Sequence, residues 1–279
     1  MYLEPVFNVE IFLNRIEQLS MNQKIFVGVD GCSAGWFAVI LAVGGEKSCE
    51  WEVELFAEFS LLVNFLEKQY EGADFLILID IPIGLKDGGS GERLSDLEAR
   101  KILRTRKSSI FPVPCREAVY AESYEKACKL NKGLAGKSIS KQAWNIIPKI
   151  RNVDSFLIEN EIYREKVTEV APEICFQALT GFPMEYSKKS IYGFLERIKA
   201  LRDFCKSTDE IVKAAISKYR RKEVAKDDIL DALAAAITAK FGSEEGFEYV
   251  PGKPETDIKG LKIQMVYYTP KLGKVKFKS

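Results

Sequence analysis

Short unbroken apolar blocks alternate along the chain with stretches whose apolar residues recur at helical spacing. Residues 24–30 and 75–80 each carry an apolar run that ends on an aspartate, Asp30 and Asp80. Runs of that length without polar alternation read as strands buried on both faces. Between them, residues 36–43 form another apolar run and Gly44-Gly45-Glu46-Lys47 a hairpin signal. Residues 49–56 then alternate Trp51, Val53 and Leu55 with acids. This pattern predicts a three-strand antiparallel meander. Residues 59–70 have helical spacing, so the strand at 75–80 returns by a crossover, as a parallel neighbour requires. Helices packed on a mixed sheet are the implied architecture.

Beyond Asp80, the glycine-rich stretch 86–92 reads as a loop. Ser95-Asp96-Leu97-Glu98 reads as a capping box opening a helix that carries Arg100 and Arg104. Phe111-Pro112-Val113-Pro114 breaks the chain, residues 116–130 and 140–160 read as helices, and 166–170 as a short fifth strand. Helical stretches follow near 173–179, 190–206 and 209–221, then an alanine-rich helix at 227–241 that opens on acids. Residues 247–278 read as strand and loop appended to the core. At the other end, Val9, Phe12, Leu13, Ile16 and Leu19 fall at helical spacing without a basic leader, which predicts an added amphipathic helix. No apolar run approaches the roughly 18 residues that cross a bilayer. The expected organisation is an N-terminal extension (1–23), one elaborated domain (24–246) with a helical insertion at about 86–165, and a C-terminal extension (247–279).

Composition narrows the chemistry. With 279 residues, 47% of them hydrophobic, the chain can bury a sizeable core, and a net charge of +1 argues against a polyanion grip over the whole surface. Charge is nonetheless uneven: residues 93–151 hold fourteen Lys/Arg against five Asp/Glu, either a local basic face or a solvated helical surface. The six cysteines are scattered with no Cys-x-x-Cys pair, and the chain has no histidine to complete a zinc set. Reduced thiols and a cytoplasmic location are the corresponding expectations.

Without histidine, a metal site must be built from oxygen ligands, and carboxylates select Mg²⁺ or Mn²⁺. Asp30 and Asp80 end strands, while Asp227, Asp228 and Asp231 open the late helix, with Asp228 and Asp231 three apart and hence on one face. Taken singly, Asp30 reads equally as a turn residue, Asp80 as a loop cap, and Asp227 and Asp228 as helix caps. Asp231 is harder to place so, because an acid inside an apolar helical stretch is costly to bury unpaired. Gathered together, these acids would raise one another's pKa and so imply a cation. Asp30, Asp80, Asp228 and Asp231 are the expected metal ligands, in a two-metal centre for displacement at phosphorus. Ala232, Ala234, Ala235 and Ala236 leave little bulk to keep the helix from the strand ends.

In this order of acids the chain resembles the ribonuclease H-like nuclease superfamily, whose acids lie on the first strand, the fourth strand and a late helix. The stretch 228–236 is similar to the closing helix of RuvC-type Holliday junction resolvases. More narrowly, the chain resembles domain-of-unknown-function family 429, described as predicted nucleases of this fold. The likeness runs through Val27-Gly28-Val29-Asp30-Gly31-Cys32, Ile79-Asp80-Ile81-Pro82-Ile83-Gly84-Leu85 and Ser108-Ser109-Ile110-Phe111-Pro112. It continues in Ala171-Pro172-Glu173-Ile174-Cys175-Phe176, the series Lys189, Gly193, Arg197, and Asp227-Asp228-Ile229-Leu230-Asp231. It implies an α/β fold with a mixed five-stranded sheet flanked by helices, the basic helical insertion, and the added N-terminal helix and C-terminal strands. It also implies Glu173 as a further ligand or base, the alternative being a first-turn helix acid. Arg93, Arg100, Arg104, Ser108, Ser109, Lys189 and Arg197 become expected substrate contacts. The alternative for Arg93, Asp96 and Arg100 is a salt-bridged helix surface.

The leading expectation is thus a metal-dependent phosphodiesterase acting on DNA or RNA, with no membrane partner and with a homodimer left open. Actin-like ATPases and sugar kinases are a second possibility, since they share this core and an Asp-Gly turn like Asp30-Gly31. They need a second phosphate loop and a late adenosine-binding glycine motif, neither of which the sequence has. A domain that keeps the acids but only binds a partner is the third.

Overall fold

A computed structural model describes residues 23–44, 49–89 and 91–271. The helix expected in 1–23 and the hairpin tip 45–47 lie outside the described residues. The first three strands are β1 (Lys24–Cys32), β2 (Gly35–Val43) and β3 (Cys49–Phe56). After helix α1 (Phe59–Gln69) comes β4 (Asp74–Asp80). The chain then forms α2 (Leu94–Leu103), a 3₁₀ turn (Arg104–Ser109), α3 (Arg116–Val119), α4 (Tyr124–Ala135) and α5 (Lys141–Glu159). A three-residue strand β5 (Val167–Glu169) follows, then α6 (Pro172–Thr180), α7 (Ile191–Arg202), α8 (Thr208–Lys218), α9 (Lys226–Glu245), β6 (Glu248–Thr256) and β7 (Lys262–Tyr267).

One sheet holds all seven strands, in the order β3-β2-β1-β4-β5-β7-β6. The meander is antiparallel, and β4 returns parallel to β1 through α1, as the apolar pattern predicts. Five strands become seven because the C-terminal segment is no appendage. Strand β7 lies parallel to β5, and β6 pairs antiparallel with β7 to form the sheet edge. The reason is the shortness of β5, which leaves the sheet's apolar faces uncovered on that side until Ile263, Met265 and Val266 of β7 bury them.

Both faces of the sheet are covered, which is why β1 and β2 lack polar alternation. Ile25, Val27 and Val29 face α1 and the insertion helices in one core, while Phe26, Phe37, Val39 and Leu41 face α6 to α9 in the other. A third, small cluster seals α2 against β6 and β7 through Leu103, Val250 and Met265. Among the described residues no helix is long and apolar enough to cross a membrane.

Two local expectations change. The capping box at Ser95–Glu98 does not form: α2 begins two residues earlier with Arg93 as its N-cap, and the Ser95 hydroxyl is buried without a hydrogen-bond partner. Asp96 instead accepts from the Arg93 guanidinium at 2.7 Å, a charged partner stronger than a backbone N–H. Residues 116–130 are likewise not one helix. The chain breaks at Tyr120, and Ser123 opens α4 by accepting from the Lys126 N–H.

Candidate metal centre

The register of β1 and β4 makes Asp30 and Asp80 direct neighbours, since parallel pairing sets their Cα atoms opposite each other at the strand ends. Alternation along each strand places both on the face covered by α9, below Phe26 and Leu78. How closely α9 can approach is decided at Gly28, two residues before Asp30. A Cβ there would lie 1.9 Å from the Ala232 carbonyl oxygen and 2.2 Å from the Ala236 amide nitrogen. The small residues of α9 thus rest directly on the β1 backbone, and that contact carries Asp231 to the two strand ends.

One carboxylate oxygen from each of Asp30, Asp80 and Asp231 lies within 4.8 Å of the others. Asp30 and Asp231 are buried, whereas Asp80 keeps partial exposure beside a cavity. Burial followed by the Asp80, Asp231 and Asp228 charges holds the Asp30 carboxyl well above its ordinary range. Burial and then the Asp231 charge push Asp80 up to about 7. Burial also raises Asp231, opposed by Lys188. The Lys188 ammonium donates to Asp231 Oδ2 at 2.6 Å and lies 3.9 Å from Asp227. Burial alone would lower that ammonium, but the charges of Asp231, Asp30 and Asp80 outweigh it and raise it above the ordinary lysine value. The other oxygen of Asp231, Oδ1, is buried and accepts no hydrogen bond.

Asp228 stands apart from this trio. Its Oδ2 accepts from the Ala225 N–H at 2.8 Å, so it caps α9, the role open to it from its position in the sequence. Burial pushes it up to about 6, against the Ala225 hydrogen bond and with the Asp227 charge adding. The three carboxylates could hold one cation, and the cap occupies one oxygen of Asp228.

A cavity of about 300 Å³ opens beside Asp80 and Asp231. Ser108 and Ser109, both exposed, and Glu173 line it, so the structure brings these expected residues to the acids. Arg197 lines it too, but its guanidinium is buried and grips Glu173 at 2.8 and 3.1 Å, besides donating to the Gly193 and Tyr186 carbonyls. Glu173 is thereby an ion-paired first-turn acid of α6, set at the cavity wall rather than in the trio.

The other expected contacts are not gathered here. Arg93 is buried and fully engaged: Asp96 at 2.7 Å, Glu169 at 2.6 Å, and the Ile83 and Gly84 carbonyls. Its neighbour Glu169 is pushed up to about 7 by burial despite that partner. Arg100 is tied to Glu92 and the Ile110 carbonyl. For Arg93 and Arg100 the salt-bridged alternative is what the fold adopts, because both project from α2 toward acids rather than toward the cavity. Arg104 is exposed just past α2 with a positive φ of 45°, a backbone conformation arginine rarely adopts. Lys189 is exposed and lines a separate groove.

Two cations at the cavity escape a reading of the sequence. Lys188 precedes Lys189 in an irregular segment, where spacing cannot tell which lysine turns inward. Arg106 sits in the run Arg104-Thr105-Arg106-Lys107, and only the 3₁₀ turn aims it at the cavity. There it donates to the Met184 and Tyr186 carbonyls and lies 3.6 Å from Glu173.

The chain belongs to the family described as protein of unknown function (DUF429), whose model matches residues 28–256. No curated protein and no solved structure matches it.

Proposed function

We propose that this protein hydrolyses phosphodiester bonds in nucleic acid with the help of Mg²⁺ or Mn²⁺ held by Asp30, Asp80 and Asp231. The observation that carries the proposal is the convergence of three ligand oxygens within 4.8 Å in a histidine-free site, one carboxylate having a buried oxygen without a partner. Such a cluster is unfavourable until a cation neutralises it, and hard oxygen ligands suit these two ions. The bound ion supplies Lewis-acid polarisation of a phosphoryl oxygen and a lowered pKa for water.

The chain's own groups supply the rest. Lys188, protonated throughout the neutral range, and Arg106 place positive charge at the cavity, where a phosphate would sit. Ser108 and Ser109 offer hydroxyl donors from the rim. Arg197 holds Glu173 in one orientation at the wall, where the carboxylate would accept a proton from an attacking water. The strand order β3-β2-β1-β4-β5, with acids at the ends of β1 and β4 and on α9, supports a ribonuclease H-like core for this reading.

Lys188 also supports a second reading, in which its ammonium alone neutralises the acids of a non-catalytic binding domain. Calorimetry with Mn²⁺ and cleavage assays on single-stranded, duplex and branched DNA and RNA separate the two. The nuclease reading expects Mn²⁺ binding and cleavage that Asp30→Asn and Asp80→Asn abolish without unfolding the chain. Absence of both Mn²⁺ binding and cleavage across all substrates refutes it.

A further inference from the structure

Next to the acids lies a second, larger groove of about 770 Å³ that the proposed chemistry does not use. Ile191, Phe194 and Leu195, at the start of α7, form its apolar side, and Lys189, Arg221 and Lys226 its cationic side. Lys188 lines both this groove and the cavity at the acids, so the two are neighbours on either side of one side chain.

Two features set the groove apart from an ordinary solvated surface. Its cations outnumber its one acid: Asp227 lines the groove and lies 3.9 Å from Lys188, and among the described residues none of Lys189, Arg221 and Lys226 has a carboxylate within ion-pair distance, whereas Arg220 and Lys218 are paired to Glu223 and Glu54. Its apolar side is unusually exposed, with Ile191 at 77% and Leu195 at 55% of their accessible surface, and Tyr192, beside the groove on α7, is 70% exposed. Tyr192 stands against Tyr186 with ring centroids 5.5 Å apart, and Lys226 lies over the Phe194 ring at 5.4 Å. Bare aromatic and aliphatic surface flanked by unpaired cations is complementary to a chain that presents flat apolar faces and regular negative charges together. A nucleic-acid duplex hides its base faces in the stack, so it could use the cations but not the apolar side. An acidic peptide would satisfy the cations but has no regular stacking surface for the tyrosines.

We infer that this groove is a binding track for single-stranded nucleic acid, with bases against Ile191 and Phe194 in the groove and Tyr192 beside it, phosphates on Lys189, Arg221 and Lys226, and Lys188 between the groove and the acids. The inference deepens the nuclease reading and rests on it for direction, since Lys188, shared with the acidic cavity, is what turns the track toward a reacting phosphate.

The test is fluorescence anisotropy on the full chain in EDTA, with a labelled 20-nucleotide thymidine strand, the matched duplex, and a salt series. The single strand is expected to bind at least tenfold more tightly than the duplex. Lys189→Glu with Arg221→Glu is expected to weaken it at least tenfold and to flatten the log–log salt slope by about 1.4, at about 0.7 per lost phosphate contact. Tyr192→Ala is expected to weaken it at least fivefold with the slope unchanged, a readout that general damage to the surface would not give. Equal affinity for duplex, or charge reversal without effect, overturns the track, as does strand binding that survives both variants. Mn²⁺ calorimetry on the same variants keeps the two proposals apart. Retained Mn²⁺ binding without strand selectivity refutes the track alone, and selective strand binding without Mn²⁺ binding refutes the metal centre alone.

Discussion

Asparagine at position 80 should make this protein more stable when no metal is present and less responsive to metal when it is. The magnitude comes from two routes. Carboxylate oxygens within 4.8 Å of one another repel by about 3 kcal/mol per pair at an effective dielectric constant near 20. Independently, moving Asp80 from the ordinary 3.8 to about 7 corresponds to roughly 4 kcal/mol of preference for the protonated form in the fold. The sign follows from linkage. A carboxyl whose folded pKa is raised binds a proton in the native state that the unfolded chain has already lost, so stability falls as pH rises from about 4 to 7 and the full penalty stands above that. Asp80→Asn removes the charge at nearly constant shape. Urea unfolding in EDTA at pH 8 should therefore show the variant more stable than wild type by about 2–4 kcal/mol, and the gain should shrink to about 1–1.5 kcal/mol at pH 5. Adding 1 mM Mn²⁺ at pH 8 should reverse the ranking, because only wild type keeps all three ligands. A variant less stable than wild type in EDTA at pH 8, or one that gains as much from Mn²⁺, would show that these acids are not a strained cation site.

Three further outcomes test neighbouring parts of the argument. Gly28→Ala should abolish folding or cost several kcal/mol by urea unfolding, since its Cβ would meet α9 backbone atoms within 2.2 Å that no rotamer change can move. Lys188→Met should lower the melting temperature at pH 8 in EDTA, and Mn²⁺ should restore it, because the variant leaves Asp231 without its ammonium partner. Glu169→Gln should destabilise the fold by about 1–3 kcal/mol, because the Ile83 N–H and the Arg93 guanidinium each donate to one Glu169 oxygen and the amide group would turn a donor toward one of them, with Mn²⁺ affinity by calorimetry altered less than twofold.

The acids of this site were legible in the chain because each is marked locally. Asp30 and Asp80 each follow an apolar strand, and Asp231 interrupts an alanine-rich helix, so burial of a charge is written into the neighbouring residues. The meander, the crossover to β4 and the late helix were legible for the same reason: periodicity reports which faces are covered. The arginines carried no such mark. Arg93 and Arg197 look like surface cations of helical stretches, and only packing turned one toward Glu169 and the other toward Glu173. The contrast between Lys188 and Lys189 is sharper still, two adjacent lysines of which one closes on Asp231 and the other lines an open groove.

What the order of residues established, then, is a sheet covered on both faces and a set of acids, Asp30, Asp80, Asp228 and Asp231, expected to gather at one end of it without histidine. What only the folded chain decided is the membership of the site: Asp228 withdrawn to cap α9, Lys188 and Arg106 brought in, and β6 and β7 added to the sheet. The physical reason is range. Burial and periodicity are set by neighbours a few positions away, whereas the partner of a long charged side chain is whichever opposite charge the tertiary contacts bring within reach, here 76 positions along the chain for Arg93 and 43 for Lys188.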